Sequence, residues 1–242
     1  MPPVTVNLLS RIVVVFLVGA VVAGPVPAVL AVDAPYITAR DLDLLAILPP
    51  PVTNGSAADR AEQDAVLAAQ RAASAERIAQ ARADADETVF AMFTPVLGGA
   101  FNPRVLPATN HLFSRIGMTE DAVVGPVKTA FERNRPYMND PEIKPLVRPS
   151  RSGSYPSGHT TRATAMAIVL GDLLPEKRGA IWERAADYAQ SRVIGGMHYP
   201  NDLEGGRRAG TAIAVALLGQ PEFKVDFEAA RSELRQALGL QP

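Results

Sequence analysis

The spacing of apolar residues along this chain is typical of helices. Four segments separated by proline or glycine are compatible with helix, namely 123–135, 160–174, 177–194 and 202–218. No run shows the sustained alternation of apolar and polar residues that marks a half-buried strand. The pattern therefore predicts an all-α fold, and we expect a single-domain helical bundle.

A further helical stretch is expected nearer the N-terminus. Ser56, with Asp59 three residues later, resembles a capping box, and an alanine-rich stretch with mixed charges follows to about Phe93. This stretch fits one long helix or two, and Pro95 is expected to end it because proline lacks the backbone N–H. Residues 48–55 contain three consecutive prolines, so this segment is expected to be extended.

Composition limits the class of function more than it limits the fold. The 242 residues are 48% hydrophobic and 20% charged, which is enough for one large core. The net charge of −1 and the pI near 6.3 give no general attraction to nucleic acid or to an anionic membrane. The absence of cysteine excludes disulfides, thiolate nucleophiles and thiolate metal sites. Any anion must therefore be held by a few clustered cations.

The N-terminal residues resemble an export signal. Arg11 precedes a stretch without charge, 12–32, which includes the small-residue exit that ends at Ala31. This layout predicts a secretory signal cleaved after Ala31. The uncharged stretch is also long enough for a membrane anchor, but Pro25 and Pro27 break it, which favours cleavage.

The chain is therefore expected to have three parts. Residues 1–31 would form the signal peptide, residues 32–55 an extended proline-rich segment, and residues 56–242 the helical domain. No later segment reaches spanning length without charge. The mature protein is expected in the periplasm or outside the cell, without a membrane attachment.

Two cations precede a proline in the middle of the chain. Lys128 and Arg135 are seven residues apart, close to two helical turns, so a continuous helix would place both on one face. Pro136 should end this helix and free the guanidinium of Arg135. Alone, such a pair is more typical of a solvated helix face.

The segment GSYPSGHTT combines a turn with one of the three histidines. Ser157 can cap a helix that begins at Gly158 or His159, and the free N–H groups of its first turn form an anion site. Glycine at this position lets a ligand oxygen approach the backbone. A simple cap with a surface histidine is an equally acceptable interpretation of this segment alone.

A third segment, 191–202, contains a second histidine and a carboxylate. Gly195 and Gly196 should end the helix that carries Arg192, so that His198 lies in the following turn. Asp202 can then fold back onto the Nδ1–H of His198 and leave Nε2 with a basic lone pair. A purely structural hydrogen bond would fit the same spacing.

Together, these residues form one coherent chemical set. Three cations and a helix N-terminus can hold a doubly charged tetrahedral anion, while two histidines and a carboxylate supply a nucleophile and an acid. Phosphoryl transfer needs this set, because its transition state spreads charge over three equatorial oxygens. No metal or other cofactor is required. The candidate residues are Lys128, Arg135, Ser157, Gly158, His159, Arg192, His198 and Asp202.

The three segments resemble the signature of the type-2 phosphatidic acid phosphatase and vanadium haloperoxidase superfamily. Within it, the chain is similar to the secreted class A bacterial non-specific acid phosphatases. The likeness includes the L-P-P-P run at 48–51, the G-S-Y at 153–155, the S-R-V-I at 191–194 and the D-L-E-G-G-R at 202–207. The resemblance implies the helical bundle of that superfamily. Relatives often have cysteine where this chain has Gly195.

The resemblance also implies a mechanism. Nε2 of His198 would attack phosphorus to form a phosphohistidine, while His159 protonates the leaving alkoxide and then activates water. Asp202 would orient His198, and the three cations with Ser157 and the Gly158 N–H would hold the non-bridging oxygens. Phosphate monoesters at acid pH, phosphate transfer to other alcohols, and the homo-oligomers often found among relatives are further implications.

Four other functions fit parts of the pattern. A haloperoxidase would hold vanadate with the same cations, and a lipid phosphate phosphatase would share the same chemistry. A serine hydrolase would use Ser157, His198 and Asp202, but the Gly-x-Ser-x-Gly elbow is absent and the cations would have no purpose. An exported phosphate-binding protein would need the cations but not the histidine pair.

Overall fold

The computed structural model describes Met1 and residues 33–241. Within that part of the chain the regular structure is helical, without strands, as the apolar spacing predicted. The described helices belong to one compact unit, Asp33–Pro242. The expected signal peptide lies outside the described residues, Met1 apart. None of the described helices is both long and apolar enough to cross a membrane.

Ten α-helices follow one another along the described residues, with one 3₁₀ turn between the seventh and eighth at Pro175–Lys177. They are α1 (Leu44–Ile47), α2 (Ala57–Ala72), α3 (Ala75–Ala83), α4 (Val89–Leu97), α5 (Pro107–Phe131), α6 (Pro136–Asn139), α7 (Gly158–Leu173), α8 (Arg178–Ile194), α9 (Pro200–Leu217) and α10 (Pro221–Ala237).

Helix α7 lies at the centre of the bundle and packs against α5, α8 and α9. Two glycines let α9 approach it closely. A Cβ atom at Gly210 would lie 2.4 Å from the carbonyl oxygen of Thr161, and one at Gly206 would lie 2.8 Å from that of Ser157. Because contacts this short exclude any side chain, the glycines bring the start of α9 beside the start of α7.

Several helix ends lie where local signals predicted them. Ser157 caps α7, with its hydroxyl accepting the N–H of Thr160. Helix α8 ends at Ile194, and Gly196 adopts a φ of 69°, which glycine reaches without strain.

Other boundaries differ from the predictions. The stretch 56–93 forms three helices, and Pro95 lies inside α4, which ends before Gly98. Helix α5 begins far earlier than expected, with Pro107 at its first position. It also ends at Phe131 rather than at Arg135, because Glu132 adopts a left-handed conformation with φ 45°. The idea that Lys128 and Arg135 share one helical face is therefore wrong.

Residues 33–55 contain one short helix, α1, and otherwise no regular structure. The hydroxyl of Tyr155 donates to the carbonyl of Pro49 at 2.9 Å. His111, outside the candidate set, contacts Asp33 at 2.9 Å and Asp226 at 3.3 Å. The contact between His111 and Asp33 attaches the start of the described segment to α5, while Tyr155 binds its proline-rich run.

Candidate active site

The candidate residues meet at one cavity of about 480 Å³, which we call the histidine cavity. Six of the eight candidates line this cavity. The remaining two, Ser157 and Asp202, have no exposed surface and lie behind its wall. A backbone hydrogen bond joins them, since the N–H of Ser157 donates to the carbonyl of Asp202 at 3.0 Å. The candidates that line the cavity are Lys128, Arg135, Gly158, His159, Arg192 and His198.

His198 lies in the turn between α8 and α9 and is 2% exposed. Its Nδ1 is 3.3 Å from Oδ2 of Asp202, and its Nε2 is 3.1 Å from Nη1 of Arg135. An arginine N–H can only donate, so we assign the ring proton to Nδ1 and the lone pair to Nε2. Asp202 thus folds back onto His198, and the lone pair lies on the cavity side of the ring.

Asp202 is held by four hydrogen bonds. Its oxygens accept from Nδ1 of His198, the N–H of Tyr199 at 2.9 Å, the hydroxyl of Ser154, and Nη1 of Arg133 at 2.6 Å. Burial alone would raise the pKa of Asp202, but the interactions with His198, Arg133 and Ser154 outweigh it and lower the pKa. The carboxylate is therefore ionised and fixed in orientation.

The surroundings of His198 favour the neutral ring. Burial lowers the pKa of His198 well below its ordinary value of 6.5. The hydrogen bond to Asp202 acts in the opposite direction, while the positive charge of Arg135 reinforces the effect of burial. A neutral imidazole keeps the Nε2 lone pair available in acidic solution, as a nucleophile requires.

The other cavity histidine, His159, is bound on both ring nitrogens. Nδ1 contacts Oε1 of Glu87 at 2.5 Å, and Nε2 lies 3.4 Å from the carbonyl oxygen of Ala85. Burial lowers the pKa of His159, while the hydrogen bond to Glu87 opposes this effect. In the protonated ring both nitrogens would face an acceptor, but burial outweighs Glu87 and the pKa of His159 is lowered overall.

Of the cations that line the cavity, three are candidate residues, namely Lys128, Arg135 and Arg192, and we call these three the cavity cations. Within the described residues none of them forms an ion pair with a carboxylate. Nζ of Lys128 donates to the carbonyl of Pro156 at 2.6 Å, and Nε of Arg135 donates to that of Ser152 at 3.0 Å. Burial and the charge of Arg135 lower the pKa of Lys128 to about 8. The three cavity cations therefore carry positive charge that no carboxylate of the described residues neutralises by direct contact.

Arg192 is the least satisfied of the cavity cations. It is 2% exposed, and its Nε has no hydrogen-bond partner among the described residues. Its Nη1 makes a long contact of 3.4 Å with the carbonyl oxygen of Asp84. A buried guanidinium without a carboxylate is costly, so this position favours an anionic ligand.

The first turn of α7 completes the anion site. Ser157 uses its hydroxyl to accept the N–H of Thr160 at 3.3 Å. Among the described residues, the N–H groups of Gly158 and His159 have no backbone or side-chain acceptor. Such free N–H groups at a helix start bind phosphate-like anions.

Four residues of the site were missed in the sequence. Arg133 and Ser154 hold Asp202, while Glu87 binds His159 and Glu120 lines the cavity. Glu87 and Glu120 carried no local signal. Ser154, within the segment GSYPSGHTT, carried a weak one.

The polar groups of the cavity suit an oxyanion better than a metal. Among the residues that the structure describes, no three His, Asp or Glu side chains are arranged to hold a metal ion. The cavity cations and the helix start are all donors, which match tetrahedral oxyanions such as phosphate or vanadate.

Fold, signature and cavity together define a family. Residues 111–226 match the PAP2 superfamily. The chain is 33% identical over 197 residues to a non-specific acid phosphatase of Salmonella typhimurium, which covers 77% of this chain and 78% of that protein. It is also 31% identical over 202 residues to an acid phosphatase of Zymomonas mobilis, covering 81% and 76%. The chain therefore belongs to the PAP2 superfamily and, within it, to the bacterial acid phosphatase family.

Two further comparisons agree with this assignment. A non-specific acid phosphatase of Providencia stuartii is 30% identical over 244 residues, covering 93% of this chain and 98% of that protein. The first bacterial vanadium-dependent iodoperoxidase of known crystal structure has a TM-score of 0.52 and 20% identity, covering 72% of this chain and 52% of that one. The second likeness concerns the fold alone and confirms the predicted helical architecture.

Proposed function

We propose that this protein is an acid phosphatase that hydrolyses small phosphate monoesters through a phosphohistidine intermediate. The observation that carries the proposal is Arg192, a buried guanidinium that has no carboxylate partner among the described residues and lines the same cavity as both histidines. A phosphoryl group supplies the missing negative charge. The acid phosphatase relatives support the same reaction class.

In the first step, Nε2 of His198 attacks phosphorus and the bond to the leaving oxygen breaks. Arg135 now donates to Nε2 at 3.1 Å, and on binding it would turn this N–H to a non-bridging oxygen. Asp202 holds the Nδ1 proton and stabilises the positive charge that develops on the ring. The other cavity cations and the Gly158 N–H stabilise the equatorial oxygens.

His159 serves as the acid for the leaving alkoxide. Its Nε2 faces only the long contact with Ala85, which a leaving oxygen can replace. Glu87 keeps Nδ1 protonated, and a bound phosphate dianion would raise the pKa of His159 against the effect of burial. In the second step His159 takes a proton from water, which attacks the phosphohistidine and releases phosphate. An alcohol in place of water would give phosphate transfer.

The decisive experiment removes the nucleophile. His198→Ala should lower the turnover of p-nitrophenyl phosphate by at least about 10⁴-fold, because no other group can form the intermediate. A 32P-labelled, acid-labile adduct should be trapped on His198 in the wild type. It should accumulate in His159→Ala, because p-nitrophenolate is stable enough to leave without an acid whereas water attack lacks its base.

His111→Ala is the matched control, since His111 lies outside the histidine cavity. This variant should keep wild-type turnover. Full activity of His198→Ala, or a label on another residue, would overturn the proposed nucleophile. Phosphate binding without turnover in the wild type would favour the exported binding protein instead.

We also propose that the enzyme is exported. The support is the sequence pattern of residues 12–31, a charge-free stretch with a small-residue exit. Val32 is the expected first residue of the mature protein, and N-terminal sequencing of the exported protein tests this. Recovery of the full-length chain in the membrane fraction would favour the anchor.

A further inference from the structure

One buried carboxyl group of the histidine cavity has no role in the reaction described above. Glu120 of α5 is 3% exposed and lines the cavity. Its Oε2 accepts from Nη2 of Arg162 at 2.7 Å and from Nε at 3.2 Å. Within the described residues its Oε1 has no hydrogen-bond partner. One oxygen is therefore fixed by the protein and the other is left for a ligand.

The free oxygen faces the place where the phosphoryl group would bind. A Cβ atom built on Gly158 would lie 3.0 Å from Oε1 of Glu120 and 3.7 Å from Cε of Lys128. Oε1 is thus beside the first turn of α7, and the side chain of Lys128 approaches the same glycine. A non-bridging phosphate oxygen held by the N–H groups of that turn and by Lys128 would lie within reach of Oε1.

An ionised carboxylate at this position would repel the substrate. The neutral acid would do the opposite, because a protonated Oε1 can donate a hydrogen bond to a phosphoryl oxygen. Burial raises the pKa of Glu120 from 4.5 to about 7, and Arg162 opposes the rise. The charged groups that face Glu120 are Asp121 and Lys128 of α5, Arg162 of α7, and Glu87 of the loop before α4.

We propose that Glu120 is a phosphate-binding residue that acts in its neutral form, with the Oε1 hydroxyl donating to a non-bridging oxygen of the bound phosphoryl group. This inference rests on the proposed phosphatase function and adds one donor to its oxyanion site. The site therefore accepts its anion well only while this carboxyl group carries a proton.

The direction of the pH effect follows from linkage. A bound anion raises the pKa of Glu120, because negative charge beside the carboxyl group favours its protonated form. By reciprocity, protonated Glu120 binds the anion more tightly than ionised Glu120 does. Anion affinity is thus highest below the pKa of Glu120 and falls as the pH rises through about 7. The preference for acid pH would come partly from substrate binding and not only from the histidines.

Sulfate is the best probe for this effect, because it is tetrahedral and keeps its charge of −2 between about pH 5 and pH 9. We would measure its inhibition constant against p-nitrophenyl phosphate across this range in the wild type and in Glu120→Gln. Glutamine still accepts from Arg162 and offers an N–H donor at every pH. The ratio of the two constants cancels the titration of both histidines and of the substrate.

The inhibition constant of the wild type divided by that of Glu120→Gln should be constant at acid pH. Above about pH 7 it should rise by up to about tenfold per pH unit, because one proton is coupled to binding. Asp121→Asn is the matched control, since Asp121 also contacts Arg162 but is exposed. The inhibition constant of sulfate for Asp121→Asn should change with pH as it does in the wild type. Its rise should begin at a slightly lower pH, because the charge of Asp121 raises the pKa of Glu120.

A ratio that does not change with pH would overturn the inference. The inference would also be overturned if the wild type preferred phosphorylethanolamine over other phosphate monoesters and Glu120→Gln lost this preference. Such a result would show that the ionised carboxylate binds the ammonium group of the substrate. Should Glu120→Gln not fold, infrared spectra of the wild type still decide. Sulfate added near pH 7.5 should increase the carbonyl band of a protonated carboxylic acid, and the absence of this band would overturn the inference.

The two proposals fail in different ways. If the wild type showed no phosphatase activity, the proposed function would be contradicted. Calorimetry would still measure how the affinity for sulfate depends on pH, and so would still test the role of Glu120. Normal turnover with a constant ratio would contradict the role of Glu120 alone.

Discussion

The buried arginines of this protein fall into two groups that differ in their counter-charges. In the first group, each guanidinium contacts a carboxylate other than Glu120 at 2.5 to 2.9 Å. Its members are Arg133, Arg162, Arg184 and Arg235. In the second group, Arg135 and Arg192, no carboxylate of the described residues lies within ion-pair distance. Both arginines of the second group line the histidine cavity.

The difference separates structural charge from functional charge. Placing an ion in a protein interior costs several kcal/mol, about as much for one group as for the other. The first group offsets this cost with a carboxylate of the same chain. Among the described residues the second group contacts carbonyl oxygens, a hydroxyl and a histidine, so a bound anion would supply the missing charge. Substitutions should therefore affect the free energy of unfolding in the first group and the reaction in the second.

Among the arginines, the largest expected effect comes from Arg192→Met, which removes a cation without a carboxylate partner among the described residues and keeps an apolar chain of similar length. We expect kcat/KM for p-nitrophenyl phosphate to fall by about 10³-fold, because an oxyanion donor is lost. The free energy of unfolding should not fall, because no carboxylate is left without its partner. Phosphate should raise the melting temperature of the wild type but not of the variant.

Arg184→Met is the matched control in the first group. Arg184 contacts Asp84 at 2.5 Å, and the variant would leave this carboxylate buried without its cation. We expect unfolding to become easier by about 3 kcal/mol, while kcat/KM per folded molecule stays unchanged. If Arg192→Met destabilised the protein as much as Arg184→Met, the division into two groups would be wrong.

A smaller effect is expected at Arg133, which belongs to the first group but touches the site. It contacts Asp202 at 2.6 Å and Glu62 at 2.5 Å, and its guanidinium lies 4.1 Å from the ring centroid of Tyr199. Arg133→Met should lower kcat by about 10²-fold with little change in KM, because Asp202 loses its fixed orientation. Steady-state kinetics across pH would measure both constants.

The pH profile distinguishes positioning from a general loss of stability. The charge of Arg133 helps to lower the pKa of Asp202, so its removal should let Asp202 take a proton at a higher pH. The acid limb of kcat should then move to higher pH. Arg235→Met, which breaks a pair with Glu176 outside the cavity, should leave this limb in place. An unchanged acid limb in Arg133→Met would contradict the positioning role.

Arg133 and Arg135 show where sequence reasoning ends. Both are arginines, two residues apart, and both are buried. Their different uses depend on distant partners, since Arg133 meets Glu62 and Asp202 whereas Arg135 meets His198. No local pattern carries this information, because the carboxylates come from other helices. The sequence nominated Arg135 through its spacing from Lys128, which the structure does not bear out as one helical face, and through its place in the signature.

Local signals, by contrast, predicted the helix ends that shape the site. The cap at Ser157 and the turn at Gly196 depend on neighbouring residues, and both are present. Lys128 and Arg135 reach the same cavity by a route that differs from the predicted one. Helix α5 ends early, and Arg135 is extended ahead of the next short helix, so the chain rather than a helical face brings the two together.

The smallest effect is expected at Ser157, whose hydroxyl caps α7 from behind the cavity wall. Ser157→Ala should make unfolding easier by about 1 kcal/mol and should lower kcat/KM by less than about tenfold, because the cap is lost but the anion site keeps its other donors. Ser56→Ala is the matched control, since Ser56 caps α2 in the same way, 3.1 Å from the N–H of Asp59. Thermal unfolding should show similar losses in both variants, with kcat/KM changed only in Ser157→Ala. Complete loss of turnover in Ser157→Ala would instead favour a serine nucleophile, for which the cavity cations have no use.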